Sequence, residues 1–168
     1  MTTAKRLTAV YPGTFDPMTL GHEDLMRRAS SLFERLIVAV AAGHHKHTMF
    51  SVDERLELGK ALAAKYPNVE VVAFKGLLRD FVVAHDGKVV VRGLRAVSDF
   101  EYEFQMALMN RHLEEAIETV FMVPSLETTY ISSSLVRQVA RFRGDVSELV
   151  HPRVAAELAR KFAQAQAG

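Results

Sequence analysis

Residues that could bind a charged ligand gather in the turn after the first apolar segment. The stretch from Tyr11 to His22 contains two prolines and two glycines. Gly13 lets the backbone approach a ligand closely, and Thr14 offers a hydroxyl and an amide at the same point. His22 begins a helix, where unpaired N–H groups and the helix dipole favour an anion. The turn therefore predicts a phosphate site, although a plain strand-to-helix turn with a capping histidine would use the same residue types.

A pair of arginines follows the fourth apolar segment. Arg92 and Arg95 flank Gly93 and Leu94, and forked guanidinium groups can hold phosphates through two hydrogen bonds at once. Ligands of open parallel sheets bind beyond the carboxyl ends of the strands, so this position favours a binding role. If they did not follow a strand of a parallel sheet, the two arginines would be interpreted as charged residues on a solvated surface.

Several other chemistries lack the motifs they need. No G-x-G-x-x-G, Walker A or G-x-S-x-G sequence is present. A zinc-protease motif would need a second histidine four positions after His22, where the chain has Met26. The histidines 44, 45 and 47 lie on a basic segment without nearby acids. Because histidines on such a segment are more often solvent-exposed or phosphate-facing, the sequence predicts no metal held by the protein itself.

The composition limits the classes of protein to consider. With 168 residues, of which 49% are hydrophobic, the chain is long enough for one core, so a single domain over residues 1–168 is expected. A net charge of +1 gives no broad basic field for nucleic acid. The chain has no cysteine and no apolar run long enough for a signal or a membrane span. A cytoplasmic protein without a membrane partner is the expectation.

Short β-branched runs alternate with longer segments of helical period. This pattern predicts an α/β fold, a Rossmann-like, doubly wound five-stranded parallel sheet with helices on both faces and a C-terminal helix. The expected strands are Leu7 to Tyr11, Leu36 to Ala42, Val69 to Phe74, Lys88 to Arg92 and Thr119 to Val123. The expected helices include His22 to Phe33, Val52 to Ala64 and Pro152 to Ala165. Ser51 with Glu54 forms a capping box, and Ser98 is expected to cap the helix that follows it.

Three motifs give the chain a family resemblance. Residues 19–22, Thr-Leu-Gly-His, resemble the (H/T)-x-G-H signature of the nucleotidyltransferase superfamily, and Ile131 to Arg137 resemble its I-S-S-x-x-(V/I)-(R/K) motif. The segment Val91 to Gln105 is similar to the one that distinguishes the bacterial phosphopantetheine adenylyltransferases. Thr19, where many superfamily members carry histidine, fits this branch. The resemblance extends from about Tyr11 to about Leu149.

The resemblance implies a reaction and a set of partners. In this family the phosphate of 4′-phosphopantetheine attacks the α-phosphorus of ATP, which gives dephospho-coenzyme A and pyrophosphate without an enzyme nucleophile. Mg²⁺ is expected to arrive with ATP, because it commonly binds substrate phosphates and retains waters. A homohexamer and feedback by coenzyme A are also implied.

The resemblance further assigns roles to individual residues. Catalytic roles fall to Thr14, His22, Lys46 and Arg95. The ATP-binding positions are Thr14, Phe15, His22, Gly93, Leu94, Arg95, Glu103, Thr128, Thr129, Tyr130, Ile131, Ser132, Ser133 and Ser134. The acceptor-binding positions are Thr14, Lys46, Leu78 and Arg92.

Two alternatives remain open at the level of sequence. A related enzyme could adenylate nicotinate mononucleotide or cytidylylate glycerol phosphate, although the central arginine segment argues against both. A non-catalytic nucleotide-binding oligomer could keep the fold without turnover, because a fold alone does not establish chemistry.

Overall fold

Five parallel strands form one sheet in the computed structural model, which describes residues 7–43 and 47–164. The strands are β1 (Thr8–Gly13), β2 (Arg35–Ala41), β3 (Val69–Phe74), β4 (Val89–Gly93) and β5 (Glu118–Met122). Their order is β3-β2-β1-β4-β5, which is the doubly wound arrangement. The expected fold class is confirmed, and the strand ends lie within two residues of their expected positions.

Six helices connect and cover the strands in the described part of the chain. They are α1 (Leu20–Leu32), α2 (Val52–Ala63), α3 (Leu78–Ala84), α4 (Val97–Leu113), α5 (Ser133–Arg141) and α6 (Pro152–Gln164). The capping box at the start of α2 is confirmed: the Ser51 hydroxyl accepts from the Glu54 N–H, and the Glu54 carboxylate accepts from the Ser51 N–H. Pro152 occupies the first position of α6, where its missing N–H costs nothing.

The expected start of α4 is wrong. Ser98 does not cap this helix, because α4 begins at Val97 after an extended Ala96 and has no side-chain cap. The chain is still held to the sheet at Leu94, whose N–H donates to the Met122 carbonyl over 3.1 Å. Only Arg95 and Ala96 separate this bond from the first residue of α4.

The core lies on both faces of the sheet. On one face, alternate residues of the central strands, such as Leu36 and Val38, pack against α1, α2, α5 and α6. On the other face, Val10 and Ile37 pack against α3. Strands buried on both faces explain the nearly continuous apolar runs in the sequence. Val154 and Leu158 are in the larger cluster, so α6 packs against its own chain.

Helix α4 carries many exposed apolar side chains. They are Phe100, Tyr102, Phe104, Met106, Leu108, Met109 and Leu113, and we call them the α4 apolar side chains. Exposed apolar surface of this extent commonly marks an interaction site. None of the helices within residues 7–43 and 47–164 combines the length and apolar character needed to cross a membrane.

Candidate active site

A first cavity of about 320 Å³ lies where β1 and β4 end. The turn between β1 and α1, the segment after β4, and the start of α5 contribute its walls. Most of the positions expected to bind ATP line it: Thr14, Phe15, His22, Gly93, Arg95, Glu103, Thr128, Ile131, Ser132, Ser133 and Ser134. Residues separated by more than 100 positions in the chain therefore meet at one edge of the sheet.

A second cavity of about 230 Å³ adjoins the first. Its walls include Leu78 and apolar side chains such as Phe74 and Met106. Residues Pro12, Gly13, Thr14, Arg92 and Glu103 line both cavities, and we call them the shared wall. Three of the four expected acceptor-binding positions, Thr14, Leu78 and Arg92, are thus placed around the second cavity.

Four expected site residues are not placed in a cavity wall. Leu94, Thr129 and Tyr130 line neither of the two cavities, and the Tyr130 side chain is 60% exposed. Lys46 lies outside the described residues, so its assignment stays a prediction.

The turn between β1 and α1 holds an unusual backbone conformation at Phe15. Its φ is 52°, in the left-handed region that side chains other than glycine seldom adopt. The Phe15 ring lies edge-on to the rings of Tyr11 and His22, with centroid distances of 5.3 and 5.1 Å. A Cβ atom at Gly13 would come within 2.8 Å of the Phe15 ring. Glycine is therefore needed at position 13, because any side chain there would displace Phe15.

His22 completes the start of α1 and faces the first cavity. The Thr19 N–H donates to His22 Nδ1 over 3.0 Å, and the Thr19 hydroxyl oxygen accepts from the His22 N–H. Because Nδ1 accepts a backbone N–H, the proton of the neutral ring lies on Nε2. Burial, together with the charges of Arg95 and Arg92, lowers the pKa of His22 to about 4. At neutral pH the ring is an uncharged donor.

Arg92 and Glu103 form an ion pair in the shared wall. Arg92 Nε and Nη2 donate to the two carboxylate oxygens over 2.7 and 2.5 Å, and Nη1 donates to the Pro12 carbonyl over 2.8 Å. Burial opposes the charge of Arg92, but the hydrogen bonds and charge of Glu103 raise its pKa above the usual value. Glu103 was expected to contact the nucleotide; in this structure it orients the arginine at the boundary of both cavities.

Arg95 is held less tightly than Arg92. Its side chain is 45% exposed, and its Nε lies 3.5 Å from an Asp99 carboxylate oxygen. Both residues line the first cavity. Since a loosely paired guanidinium can reorient toward a stronger anion, Arg95 is available to a phosphate group.

The start of α5 uses its hydroxyl groups within the protein. The Ser132 hydroxyl oxygen accepts from the Leu135 N–H, and the Ser133 hydroxyl donates to the Pro17 carbonyl over 2.8 Å. The Arg137 guanidinium donates to the Asp16 carbonyl. These bonds fix the helix start against the β1–α1 turn. The backbone N–H groups of its first turn remain the natural anion donors there.

Residues that hold the site together were not identified from the sequence. The Asp16 carboxylate, only 6% exposed, accepts from the N–H groups of Met49 and Phe50 over 2.8 Å each. Arg55 is also buried. One signal was present for Arg55, because it shares a helical stripe with the buried Leu58, three positions later.

The two cavities together are suited to bind two phosphate-bearing molecules side by side. Guanidinium groups, a neutral imidazole donor and helix-start amides all bind anions. Within the described ranges, no group of three or more histidine, aspartate and glutamate residues could hold a metal ion. Together, the cationic groups and helix-start amides can align anionic reactants.

Comparison with known proteins identifies related sequences. The family model described as cytidylyltransferase-like matches residues 10–139. A phosphopantetheine adenylyltransferase from Bordetella avium is 58% identical over 148 residues, covering 88% of this chain and 89% of the relative. The protein of the same name from Paraburkholderia phymatum is 55% identical over 157 residues, covering 94% of each chain.

A solved structure extends the likeness to the fold. The Plasmodium falciparum nicotinic acid mononucleotide adenylyltransferase, complexed with NaAD, superimposes with a TM-score of 0.67 at 15% identity, covering 94% of this chain and 96% of the other. At this level of identity the likeness concerns the architecture alone.

Proposed function

The chain belongs to the phosphopantetheine adenylyltransferase family, and we propose that its first cavity takes ATP and its second cavity takes the acceptor. The enzyme transfers the adenylyl group of ATP to 4′-phosphopantetheine, forming dephospho-coenzyme A and pyrophosphate in coenzyme A biosynthesis. The observation that carries the assignment of cavities is the shared wall, where Thr14 and Arg92 touch both spaces.

On the nucleotide side, His22, Arg95 and the start of α5 are proposed to bind the phosphates. The Nε2–H of a neutral His22 donates to an oxygen near the transferred phosphorus, and Arg95 adds positive charge at the more exposed end. The N–H groups of Ser133 and Ser134 hold the terminal phosphates. Gly93, Phe15, Glu103 and the segment from Thr128 to Ile131 complete the proposed nucleotide site.

On the acceptor side, Arg92 and Lys46 are proposed to bind the attacking phosphate, and Leu78 to contact the pantetheine arm. Arg92 lines both cavities. The apolar walls around Leu78 suit the aliphatic parts of the acceptor. Thr14 lies between both ligands and is proposed to contact the reacting centre.

The proposed chemistry is a direct in-line displacement. An oxygen of the acceptor phosphate forms a bond to the α-phosphorus, while the bond from that phosphorus to the bridging oxygen breaks and pyrophosphate leaves with the electron pair. A phosphate monoester is anionic near neutral pH, so no general base is required. The enzyme supplies alignment and stabilises the charge that develops on the leaving group.

A divalent metal accompanies ATP in this reaction, and we propose that the ion is Mg²⁺ bound by the triphosphate. The acids of the first cavity fit this arrangement, because Glu103 pairs with Arg92 and Asp99 with Arg95. The ion would neutralise phosphate charge when bound.

Assembly, regulation and location are also proposals. We propose a homohexamer in which neighbouring copies cover α4 apolar side chains outside the second cavity, such as Phe100, Phe104 and Leu108, since these are otherwise exposed. Coenzyme A is proposed as a feedback ligand, because it shares the pantetheine arm with the acceptor. A cytoplasmic location agrees with the absence of cysteine.

One assay tests the function and its alternatives together. The protein is incubated with Mg-ATP and, separately, with 4′-phosphopantetheine, nicotinate mononucleotide and glycerol phosphate, while pyrophosphate release and product mass are followed. We expect rapid turnover with 4′-phosphopantetheine alone. Preferred adenylation of nicotinate mononucleotide, or nucleotide binding without any pyrophosphate release, would contradict the assignment.

A further inference from the structure

Tyr11 carries a polar group for which the described part of the protein supplies no partner. The residue lies on β1, close to its carboxyl end, and is 6% exposed. None of the described residues accepts a hydrogen bond from its hydroxyl group. A buried hydroxyl without a partner is destabilising, and phenylalanine would fill the same space without that cost. A tyrosine at this position therefore suggests that a ligand supplies the partner.

The Tyr11 hydroxyl opens on the first cavity. Among the described residues, Arg79 Nε is the one polar side-chain atom that is both fully enclosed and without a hydrogen-bond partner. The unpartnered hydroxyl of Tyr11 is therefore not fully enclosed, although little of the residue is exposed. Tyr11 lines the first cavity and not the second. The open space next to the hydroxyl thus belongs to the first cavity.

The charges around the Tyr11 hydroxyl favour an anionic partner. Burial raises the pKa of Tyr11 well above its ordinary value, although the charges of Arg92 and Arg95 act on it in the opposite direction. The hydroxyl therefore stays protonated at neutral pH and can donate a hydrogen bond. Both arginines line the same cavity. A neutral donor close to two guanidinium groups is suited to a phosphate oxygen.

The ring of Tyr11 has a separate task in packing the turn between β1 and α1. It meets the Phe15 ring edge-on, with centroids 5.3 Å apart, and Phe15 meets His22 in the same way at 5.1 Å. The three rings form a row that ends at the start of α1. Because phenylalanine keeps the ring, the change Tyr11→Phe removes the hydroxyl and leaves this row in place.

We propose that Tyr11 is a phosphate-binding residue of the nucleotide site, whose hydroxyl donates a hydrogen bond to an oxygen of the ATP triphosphate. It acts beside His22 and Arg95, which line the same cavity. Since no described residue accepts from this hydroxyl, the bond is gained when the nucleotide binds. This inference rests on the proposed function, which places ATP in the first cavity.

The test compares Tyr11→Phe with Tyr66→Phe as a matched control. Tyr66 lies between α2 and β3 and lines neither the first nor the second cavity. Calorimetry measures the Kd of Mg-ATP for each protein. We expect Tyr11→Phe to raise this Kd about tenfold, because a hydrogen bond to a charged group is lost. The control should keep the wild-type value.

Deoxynucleotides separate a phosphate contact from a ribose contact. The same measurement is made with 2′-deoxyATP and 3′-deoxyATP, which keep the triphosphate and each lack one ribose hydroxyl. If the partner is a phosphate oxygen, Tyr11→Phe should weaken all three nucleotides by the same factor. A loss of affinity that disappears with either deoxynucleotide would place the contact at the ribose and overturn the proposal.

Unfolding in urea separates ligand binding from a structural role. Without nucleotide, the urea midpoint of Tyr11→Phe should equal or exceed that of wild type, because the hydroxyl has no partner to lose. A lower midpoint would show that the protein itself binds the hydroxyl and would overturn the proposal. An unchanged Kd for Mg-ATP in the folded variant would also overturn it.

Binding and turnover are measured separately, so the proposal and the proposed function can fail independently. A wild-type protein that binds ATP without consuming 4′-phosphopantetheine would refute the proposed function, while the effect of Tyr11→Phe on ATP binding would still decide the role of the hydroxyl. A wild-type protein that does not bind ATP would refute both.

Discussion

His22 should make the folded protein less stable as the pH falls through the weakly acidic range. Its pKa is about 4 in the folded protein, against 6.5 for an ordinary histidine. Between these values the unfolded chain binds a proton that the folded chain excludes. The contribution of His22 to the free energy of unfolding is therefore complete above about pH 6.5 and is progressively lost as the pH falls toward 4.

The size of the effect follows from the two pKa values. At pH 4.5 the linkage relation gives a loss of about 2.5 kcal/mol relative to pH 7. The variant His22→Gln removes the titrating group and keeps an acceptor for the Thr19 N–H, because glutamine suits the third position of a capping box. Between pH 7 and pH 4.5, the unfolding free energy of wild type should therefore fall by about 2.5 kcal/mol more than that of His22→Gln.

Urea unfolding at pH 7 and pH 4.5, at one fixed protein concentration, measures this shift. Other titrating groups are common to both proteins, so their contributions cancel in the difference. His112→Gln, which removes an exposed histidine from the last turn of α4, controls for the loss of an imidazole outside the site. A shift below about 0.5 kcal/mol, or one that favours wild type, would refute a neutral His22.

Other substitutions test separate parts of the site. Arg92→Ala should lower the affinity for 4′-phosphopantetheine, and Arg95→Ala that for ATP, each by about tenfold or more; calorimetry showing unchanged affinities would contradict this division. Gly13→Ala should reduce kcat/KM for ATP at least tenfold, because the new methyl group displaces Phe15. Steady-state kinetics measures this ratio, and an unchanged value would show that the Phe15 ring can move without loss of function. Ser51→Ala should lower the unfolding free energy by about 1 kcal/mol through loss of the helix cap, without changing KM; a urea midpoint equal to that of wild type would argue against the capping box.

The parts of the fold that were predicted correctly depend on neighbours in the sequence. Strand β3 was predicted from Val69 to Phe74, as observed, because five of its six residues are apolar and the run is rich in β-branched side chains. The capping box of Ser51 and Glu54 needs residues only three positions apart. The start of α4 was missed because Ser98 is a good cap by type, whereas the helix begins one residue earlier, at Val97, without a side-chain cap.

The parts of the site that were missed depend on partners far apart in the sequence. Asp16 binds N–H groups more than 30 positions away, and Arg137 binds a carbonyl 121 positions away. Nothing local marks either residue as a connector. The pairing of Glu103 with Arg92 was also not foreseen, because an acid on a helix is ordinarily solvated and its partner comes from a strand.

The shared wall between the two cavities includes a pair of opposite charges, Arg92 and Glu103. A guanidinium and a carboxylate can exchange partners when a phosphate arrives, whereas packed methyl groups would have to be displaced. Whichever reactant enters first therefore alters the electrostatic surface that the second one meets. Because such an effect on affinity is necessarily mutual, ATP should change the dissociation constant of the acceptor by the same factor as the acceptor changes that of ATP.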